Sequence, residues 1–205
     1  MSKSVPQAAP NHKRFELRAA DTATGQNDHD WCSSLPAGVK LRALSMHRDA
    51  RGSLAELFRM EWEPGISVVQ WNFAESQARV LRGMHAHFKH WDYLIIMRGH
   101  ASIGLKDLRE GSSTEGLSAM VEMRGEDLSA LLIPPGVAHG FYFHEPSLHV
   151  YAVSEYWEPA DELGCHWADG GLGLSWPDPS PLISERDAAL PPFSELKRLP
   201  LWRSS

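Results

Sequence analysis

The pattern of apolar and polar positions divides the chain into short segments from Leu41 onward. Seven segments are continuously apolar or alternate between apolar and polar side chains, and turn-forming Gly and Pro residues separate them. No long stretch has the 3.6-residue period of an amphipathic helix. The pattern therefore predicts an all-β sandwich or small barrel. The predicted strands are 66–73, 93–97, 101–105, 119–123, 128–133, 140–143 and 148–153.

The two ends of the chain lack this pattern. Residues 1–39 are rich in Ala, Ser, Asp, Asn and Gln and show no period, which is typical of a weakly structured extension. After Pro159 the composition shifts to Gly, Pro and Trp, which indicates an ordered loop over one end of the barrel, and 183–196 favours a short helix. We therefore predict an N-terminal extension over 1–39 and one domain over 40–205.

Composition and charge narrow the class of protein. The 205 residues include 20 Lys+Arg against 26 Asp+Glu, and no basic run marks a nucleic-acid partner. The longest apolar run, Tyr93–Met97, is far shorter than the roughly 18 residues that cross a bilayer. We expect no membrane span. Two cysteines and an N-terminus without an apolar signal-peptide core favour a cytoplasmic location.

Histidine is unusually frequent, with eleven copies, and some of them fall in two short motifs. His85 and His87 are two residues apart, so on an extended strand they project from one face and can share a target. Asp92 follows, and His139 comes later within a Pro-x-Gly-x-x-His segment. This spacing resembles the cupin superfamily, with Asp where Glu is more usual. Three imidazoles and a carboxylate also suit Zn²⁺ or another first-row transition metal.

A wider resemblance covers the chain from about Asp49 to Asp187. In order and spacing, the pieces resemble the dTDP-4-dehydrorhamnose 3,5-epimerase family, a cupin-fold group acting on nucleotide-linked 4-keto sugars. The pieces are Asp49–Glu56, Gln70–Asn72, Val80–His85, Asp107–Ser112, Ile133–Phe141, Tyr151 with Tyr156 before Glu158-Pro159, Trp167–Asp169, Leu174–Pro177 and Ile183–Asp187. The resemblance implies a jelly-roll (double-stranded β-helix) cupin barrel, a homodimer and no required cofactor.

The family's site residues can be placed on this sequence one by one. The resemblance implies that His85 is the base, held by Asp187, and that Tyr151 is the proton donor on the opposite face of the sugar. It implies that Arg82 and His139 face the sugar carbonyl, where a cation or an N–H donor holds developing negative charge. The positions that match the nucleotide and diphosphate contacts are Arg51, Glu56, Gln70, Asn72, Glu162 and Arg186.

One departure from the family is chemically important. The family Lys is replaced by Asp92, and a Gln two residues after the base is replaced by His87. A carboxylate there opposes an enolate unless it is protonated or bound to a cation. Either Lys89 or His90 supplies the missing charge, or a divalent metal is held by His85, His87, Asp92 and His139. In the metal case His85 is not free to be the base, and Tyr151 is its leading substitute.

Three functions are consistent with these residues. The first is an epimerase of a nucleotide-linked 4-keto-6-deoxyhexose that abstracts a proton next to the ketone and returns it on the other face. The second is a metal-dependent cupin enzyme that uses His85, His87, Asp92 and His139 on another small molecule. The third is a noncatalytic sugar-binding module, against which the presence of His85, Asp187 and Tyr151 argues.

Overall fold

Strands form most of the regular structure in the computed structural model, which describes residues 17–19 (backbone), 35–63 and 65–202. Two short helices, α1 (Glu185–Ala188) and α2 (Phe193–Lys197), follow the strands. The strands are β1 (Leu17–Ala19), β2 (Lys40–Ala43), β3 (Met46–Asp49), β4 (Gly52–Ala55), β5 (Gln70–Ser76), β6 (Leu81–Ala86), β7 (Asp92–Arg98), β8 (His100–Asp107), β9 (Ser118–Arg124), β10 (Ser129–Ile133), β11 (Val137–Phe143), β12 (Ser147–Val153) and β13 (Leu163–Gly164).

These strands form two antiparallel sheets and one separate hairpin. The six-stranded sheet has the order β1-β9-β8-β11-β6-β13, and the five-stranded sheet has the order β2-β10-β7-β12-β5. The hairpin consists of β3 and β4. Apart from β8 and β9, neighbours in each sheet are not consecutive in the chain, as in a jelly roll. Residues from both halves of the sequence therefore meet between the sheets.

The main core lies between the two sheets. Ile103 and Val121 of the six-stranded sheet pack with Leu94, Leu131 and Ile133 of the five-stranded sheet. The outer faces are covered as well. Residues 44–68 contribute to a cluster with Tyr93 and Leu132, and the C-terminal segment packs Phe193 and Trp202 with Met84. Because both faces of the central strands are buried, their sequences are continuously apolar rather than alternating.

The predicted jelly-roll fold is confirmed, as a sandwich whose sheets are not joined into a closed barrel by the described residues. Six of the seven predicted strands match a strand with small shifts of their ends. The seventh, 66–73, is half right, because β5 begins only at Gln70. The segment predicted to carry a helix has two, α1 and α2. In the described part of the chain, no helix is long and apolar enough to cross a membrane.

The predicted extension over 1–39 lies mainly outside the described residues. Within it, β1 pairs antiparallel with β9, with Leu17 opposite Val121. Val39 is buried in the main core just before β2. The last residues of the predicted extension thus pack with the domain. A domain boundary at residue 39 stays a proposal.

Candidate active site

A cavity of about 580 Å³ opens between the two sheets. The six-stranded sheet contributes His85 from β6 and His139 from β11, and the five-stranded sheet contributes Asp92 from β7 and Tyr151 from β12. The segment 182–187, which leads into α1, closes one side. The cavity thus contains all three predicted catalytic side chains and most of the predicted substrate contacts.

His85 is paired with Asp187 across 102 positions of the chain. The distance between Nε2 of His85 and Oδ1 of Asp187 is 2.8 Å. The other carboxylate oxygen accepts from the backbone N–H of Gly83, and Ser184 caps α1 by accepting from the Asp187 N–H. Burial raises the pKa of Asp187, but the hydrogen bonds from His85 and Gly83 outweigh it and leave this pKa below its usual value. An ionised, fixed carboxylate orients the imidazole and leaves its Nδ1 to take a proton.

The backbone behind His85 is held close to β11. Gly83 has φ +116°, and a Cβ atom added there would lie 2.8 Å from the Gly140 Cα and from the His139 carbonyl oxygen. The register between β6 and β11 shifts between His139 and Phe141. Glycine at 83 therefore permits the close strand contact that sets His85 and His139 opposite each other.

A second cluster, which we call the Asp92 cluster, consists of His87, His90, Asp92 and His139. The Oδ2 atom of Asp92 lies 3.8 Å from Nε2 of His87, 3.7 Å from Nε2 of His90 and 3.8 Å from Nε2 of His139. All four residues are buried. Among the described residues, no group hydrogen-bonds to the Asp92 carboxylate, so three imidazole nitrogens converge on one oxygen without satisfying it.

The opposite ring nitrogen of each imidazole has an oxygen partner. His87 Nδ1 lies 3.1 Å from the Asp161 carbonyl oxygen, His90 Nδ1 lies 2.9 Å from Oδ2 of Asp161, and His139 Nδ1 lies 3.2 Å from the Val137 carbonyl oxygen. A carbonyl oxygen only accepts, so the Nδ1 atoms of His87 and His139 donate. In its neutral form each of these rings then presents an Nε2 lone pair, and not an N–H, toward Asp92.

The cluster's charge follows from its burial. Burial raises the pKa of Asp92 to about 7, against the opposing effect of His87 and with smaller contributions from Glu162 and Asp161. Burial holds the pKa of His139 well below its usual value, and the charges of the nearby His87 and His85 lower it further. His139 is therefore neutral at physiological pH. Its expected role as an N–H donor to the sugar carbonyl does not match this geometry.

Tyr151 and Arg82 lie on the cavity wall as the sequence predicts. Burial raises the pKa of Tyr151 above its usual value, and the charges of Asp92 and Glu162 add to this. The phenol therefore keeps its proton at neutral pH. Nε of Arg82 donates to Ser76 at 2.9 Å, and its Nη2 donates to the Glu75 carbonyl at 3.2 Å.

Four of the six predicted nucleotide contacts are at or beside the cavity. Glu162 and Arg186 line it and form a pair at 2.6 Å. Asn72 lines it and accepts at 3.0 Å from Gln70. Arg51 and Glu56 do not line the cavity of their own chain. They pair instead with the nearby Asp49 and Arg59.

The structure also shows side chains that sequence reasoning missed. His149 lines the cavity, and its Nδ1 has no hydrogen-bond partner among the described residues. Burial lowers the pKa of His149 to about 4, with a further effect from Arg82. Trp157 lines the cavity while half exposed, and Asp161 lies behind His90. His149 reaches the site through the pairing of β12 with β5 and β7, and Trp157 and Asp161 reach it through the segment after β12. Neither arrangement is visible in the sequence.

Of the two residues considered as replacements for the family Lys, only His90 reaches the cluster. Lys89 is partly exposed, and its Nζ pairs with Glu158 at 3.3 Å. His85 and His87 both line the cavity, but His85 pairs with Asp187 and His87 faces Asp92. They do not share one target.

Comparison with known proteins extends this picture. The model of the dTDP-4-dehydrorhamnose 3,5-epimerase family matches residues 35–195. The spore coat polysaccharide biosynthesis protein SpsL of Bacillus subtilis is 34% identical over 143 residues, which cover 68% of this chain and 95% of that protein. The crystal structure of ChmJ, a 3'-monoepimerase from Streptomyces bikiniensis in complex with dTDP-quinovose, matches with a TM-score of 0.75 and 31% identity over 82% of this chain and 90% of that one. The Mycobacterium tuberculosis rmlC epimerase matches with a TM-score of 0.75 and 29% identity over 80% and 88% of the two chains.

Proposed function

Because this chain belongs to the dTDP-4-dehydrorhamnose 3,5-epimerase family, we propose that its inter-sheet cavity epimerises a dTDP-linked 4-keto-6-deoxyhexose. The chain is an isomerase-class epimerase of nucleotide sugars. Its family therefore favours this function over that of a metal-dependent cupin enzyme acting on an unrelated small molecule. The observation that carries the proposed site is the 2.8 Å hydrogen bond between His85 and Asp187 at the cavity wall.

In the first step His85 removes a proton from a carbon next to the ketone. The C–H bond breaks, the proton goes to the free Nδ1 of His85, and the electron pair forms a C=C bond while the ketone oxygen takes the negative charge. Such a carbon is a far weaker acid than an imidazolium, so the base must be oriented and the enolate stabilised. Asp187 supports the first requirement, since its carboxylate stabilises the imidazolium that forms.

In the second step Tyr151 returns a proton to the other face of the carbon. The phenol O–H bond breaks, a new C–H bond forms, and the ketone is restored. Exchange with solvent then returns a proton to Tyr151 and removes one from His85. The position of Tyr151 on the sheet opposite to His85 supports this role, because inversion needs an acid and a base on opposite faces of the sugar.

The nucleotide end of the substrate is assigned to the outer part of the cavity. Arg186 suits a diphosphate, because its fork of donors matches phosphate oxygens. Asn72, Gln70 and Glu162 offer hydrogen bonds, and the half-exposed indole of Trp157 offers a stacking surface for a base. Arg82 remains the proposed contact of the sugar itself, and His139 lines the same cavity.

We also propose that the chain is a homodimer with a cytoplasmic location. β5 is an edge strand of its sheet, and its outward residues Trp71 and Phe73 are exposed although apolar. Phe58, which follows the β3–β4 hairpin, packs against Trp71 with ring centroids 6.3 Å apart. A second copy seated here would lie near the hairpin that carries Arg51, which supports Arg51 and Glu56 as contacts made across the dimer. The buried thiol of Cys165, which forms no disulfide, suits a reducing compartment.

Proton exchange tests the proposed function directly. We expect the protein in D₂O to incorporate deuterium next to the ketone of dTDP-4-keto-6-deoxyglucose, detected by mass spectrometry. NMR then shows whether C3, C5 or both are inverted. The variant His85→Gln should bind dTDP but exchange nothing. If no nucleotide-linked 4-keto sugar undergoes exchange or binds, the proposal is wrong.

A further inference from the structure

We propose that His87, His90, Asp92 and His139 bind one divalent first-row transition metal ion, beside but separate from the His85–Asp187 pair. Three Nε2 atoms lie 3.7–3.8 Å from a single oxygen of Asp92. The ligand atoms of His87, His90 and Asp92 all lie within 4.8 Å of one another. Atoms bonded to one Zn²⁺ ion at about 2.1 Å are roughly 3.0–3.6 Å apart. Small side-chain movements therefore bring His87, His90 and Asp92 to coordinating distances, and His139, which lies 3.8 Å from the same oxygen, is the fourth ligand.

The second ring nitrogens support this assignment. Each of His87, His90 and His139 has its Nδ1 against an oxygen of Asp161 or Val137. Histidines that bind metals in proteins usually donate their other N–H to a carboxylate or a carbonyl, which fixes the tautomer and the ring orientation. Asp161 serves two of the three rings, and it also accepts from the backbone N–H of Phe88. The three Nε2 atoms thus all lie within 3.8 Å of the Asp92 Oδ2 atom before any ion binds.

The composition of the cluster is hard to explain as a structural device. A buried carboxylate without a hydrogen bond destabilises a fold, and a neutral imidazole that directs an Nε2 lone pair at it offers no compensation. A divalent cation removes this cost, because it accepts an electron pair from each of the four side chains. Three imidazoles and one carboxylate suit Zn²⁺, Fe²⁺, Co²⁺ or Ni²⁺ better than Mg²⁺ or Ca²⁺, which prefer oxygen.

This ligand set differs from the one predicted by spacing. His85 is replaced by His90, because His85 is turned to Asp187 while His90 reaches Asp92. With His90 as a ligand in place of His85, a metal site and a histidine base no longer conflict. His85 stays free to take a proton while the other three histidines hold the ion.

The consequence for the reaction rests on the proposed function. All four residues line the substrate cavity, and Asp92 holds the position at which the family has a lysine. A bound divalent ion supplies a positive charge there, which lowers the energy of the enolate oxygen formed when His85 removes the proton.

Metal binding by the full chain tests the ligand set. Metal is first removed from the purified protein with a chelator. The affinity for Co²⁺ is then measured by titration with visible absorption, and the affinity for Zn²⁺ by competition with Co²⁺. Elemental analysis gives the number of ions per chain. We expect one ion per chain. His90→Gln should bind at least about 100-fold more weakly, and Asp161→Asn about 10- to 100-fold more weakly. His85→Gln and the matched surface control His47→Gln should bind as the wild type does.

Several results would overturn the proposal. These are no stoichiometric binding of any of the four ions, a His90→Gln variant with wild-type affinity, or a His85→Gln variant that loses the ion. A second group, His100, Glu122 and His144, also has ligand spacing, so loss of the ion in His100→Gln but not in His90→Gln would overturn it too. Circular dichroism checks that the stripped variants are folded, and if His90→Gln is not, the wild-type titration and Asp161→Asn decide.

The metal site and the epimerase function can fail separately. If the ion binds but no nucleotide sugar undergoes exchange, the proposed function is wrong and the site stands. If stripped wild type and His90→Gln both exchange at the rate of the metal-loaded wild type, the ion has no part in the reaction, whatever its affinity.

Discussion

His85 and His87 are two residues apart in the chain, yet their Nε2 atoms face different carboxylates. That of His85 lies 2.8 Å from Asp187, and that of His87 lies 3.8 Å from Asp92. The divergence has a simple cause, since β6 ends at Ala86 and His87 belongs to the turn that follows. The segment from His85 to His87 therefore contributes to two sites, the His85–Asp187 pair and the Asp92 cluster.

Replacing Asp187 by Asn should reduce the rate of deuterium exchange by about 100- to 10,000-fold, because His85 loses the carboxylate that fixes its tautomer and stabilises its cation. The affinity for dTDP should change little. A variant that exchanges at the wild-type rate would contradict the assignment of the pair.

The same substitution gives a pH test of stability. The pKa of Asp187 is lower in the folded protein than in the unfolded chain. Its contribution to the free energy of unfolding is therefore present above the unfolded pKa of about 4 and is lost as the pH falls through the folded value. Urea unfolding of wild type and Asp187→Asn should show a difference that is constant from pH 5 to 7 and narrows below pH 4.

Tyr151→Phe should separate proton removal from inversion. His85 can still remove the proton and return one to the same face, so deuterium exchange should continue while the epimerised product falls by at least about 100-fold. Because burial raises the pKa of Tyr151 above 10, wild-type inversion should not decline between pH 7 and 10 through loss of this proton. Equal loss of exchange and inversion in the variant would mean that Tyr151 acts before, or together with, the base.

Asp92→Lys should abolish metal binding and leave an epimerase that chelators do not inhibit. An ammonium has three N–H donors, and the three Nε2 lone pairs around position 92 are matched acceptors for them. Asp92→Asn is the control, since it removes the carboxylate without adding a charge and should be inactive in exchange. If the Lys variant needs added metal as the wild type does, the ion does not act in place of the lysine.

Gly83→Ala should lower the free energy of unfolding by about 2–4 kcal/mol, because the new Cβ meets β11 and the backbone is in a region unfavourable to alanine. Gly111→Ala is matched to it, with φ +80° and no atom within 4 Å of the added Cβ. It should cost only about 1 kcal/mol. Equal losses would show that the strand contact at Gly83 is loose.

Phe73→Glu should convert a dimer to a monomer at micromolar concentrations, measured by light scattering after gel filtration. The exposed apolar face of β5 loses its complementarity when a charge is buried there. Glu75→Gln on the same strand is the control and should remain dimeric. A wild-type chain that is already monomeric would disprove the dimer.

Much of the fold could be predicted from the sequence, because a continuous apolar run indicates a strand whose two faces are both buried. The run Tyr93–Met97 sits inside β7 for this reason. β6 was harder, since Arg82 and Gly83 interrupt its apolar positions. The hairpin of β3 and β4 is short and exposed, so it has no hydrophobic period to detect.

The candidate site was predictable only where a residue matches a family position. His85, Tyr151 and Asp187 were placed in this way, whereas His90 was not. It lies three residues after His87, a spacing that does not put two side chains on one face of a strand. It reaches Asp92 through the turn after β6. His149 likewise depends on the pairing of β12 with β5 and β7, and Asp161 on the path of the loop after β12.

The order of the chain has a consequence for its synthesis. Every strand of both sheets is complete by Gly164, whereas Asp187 comes 23 residues later on α1. A nascent chain leaving the ribosome can therefore pair its strands and gather the Asp92 cluster while His85 still lacks its carboxylate. The carboxylate that orients the base is then made only after the strands that carry His85 and Asp92.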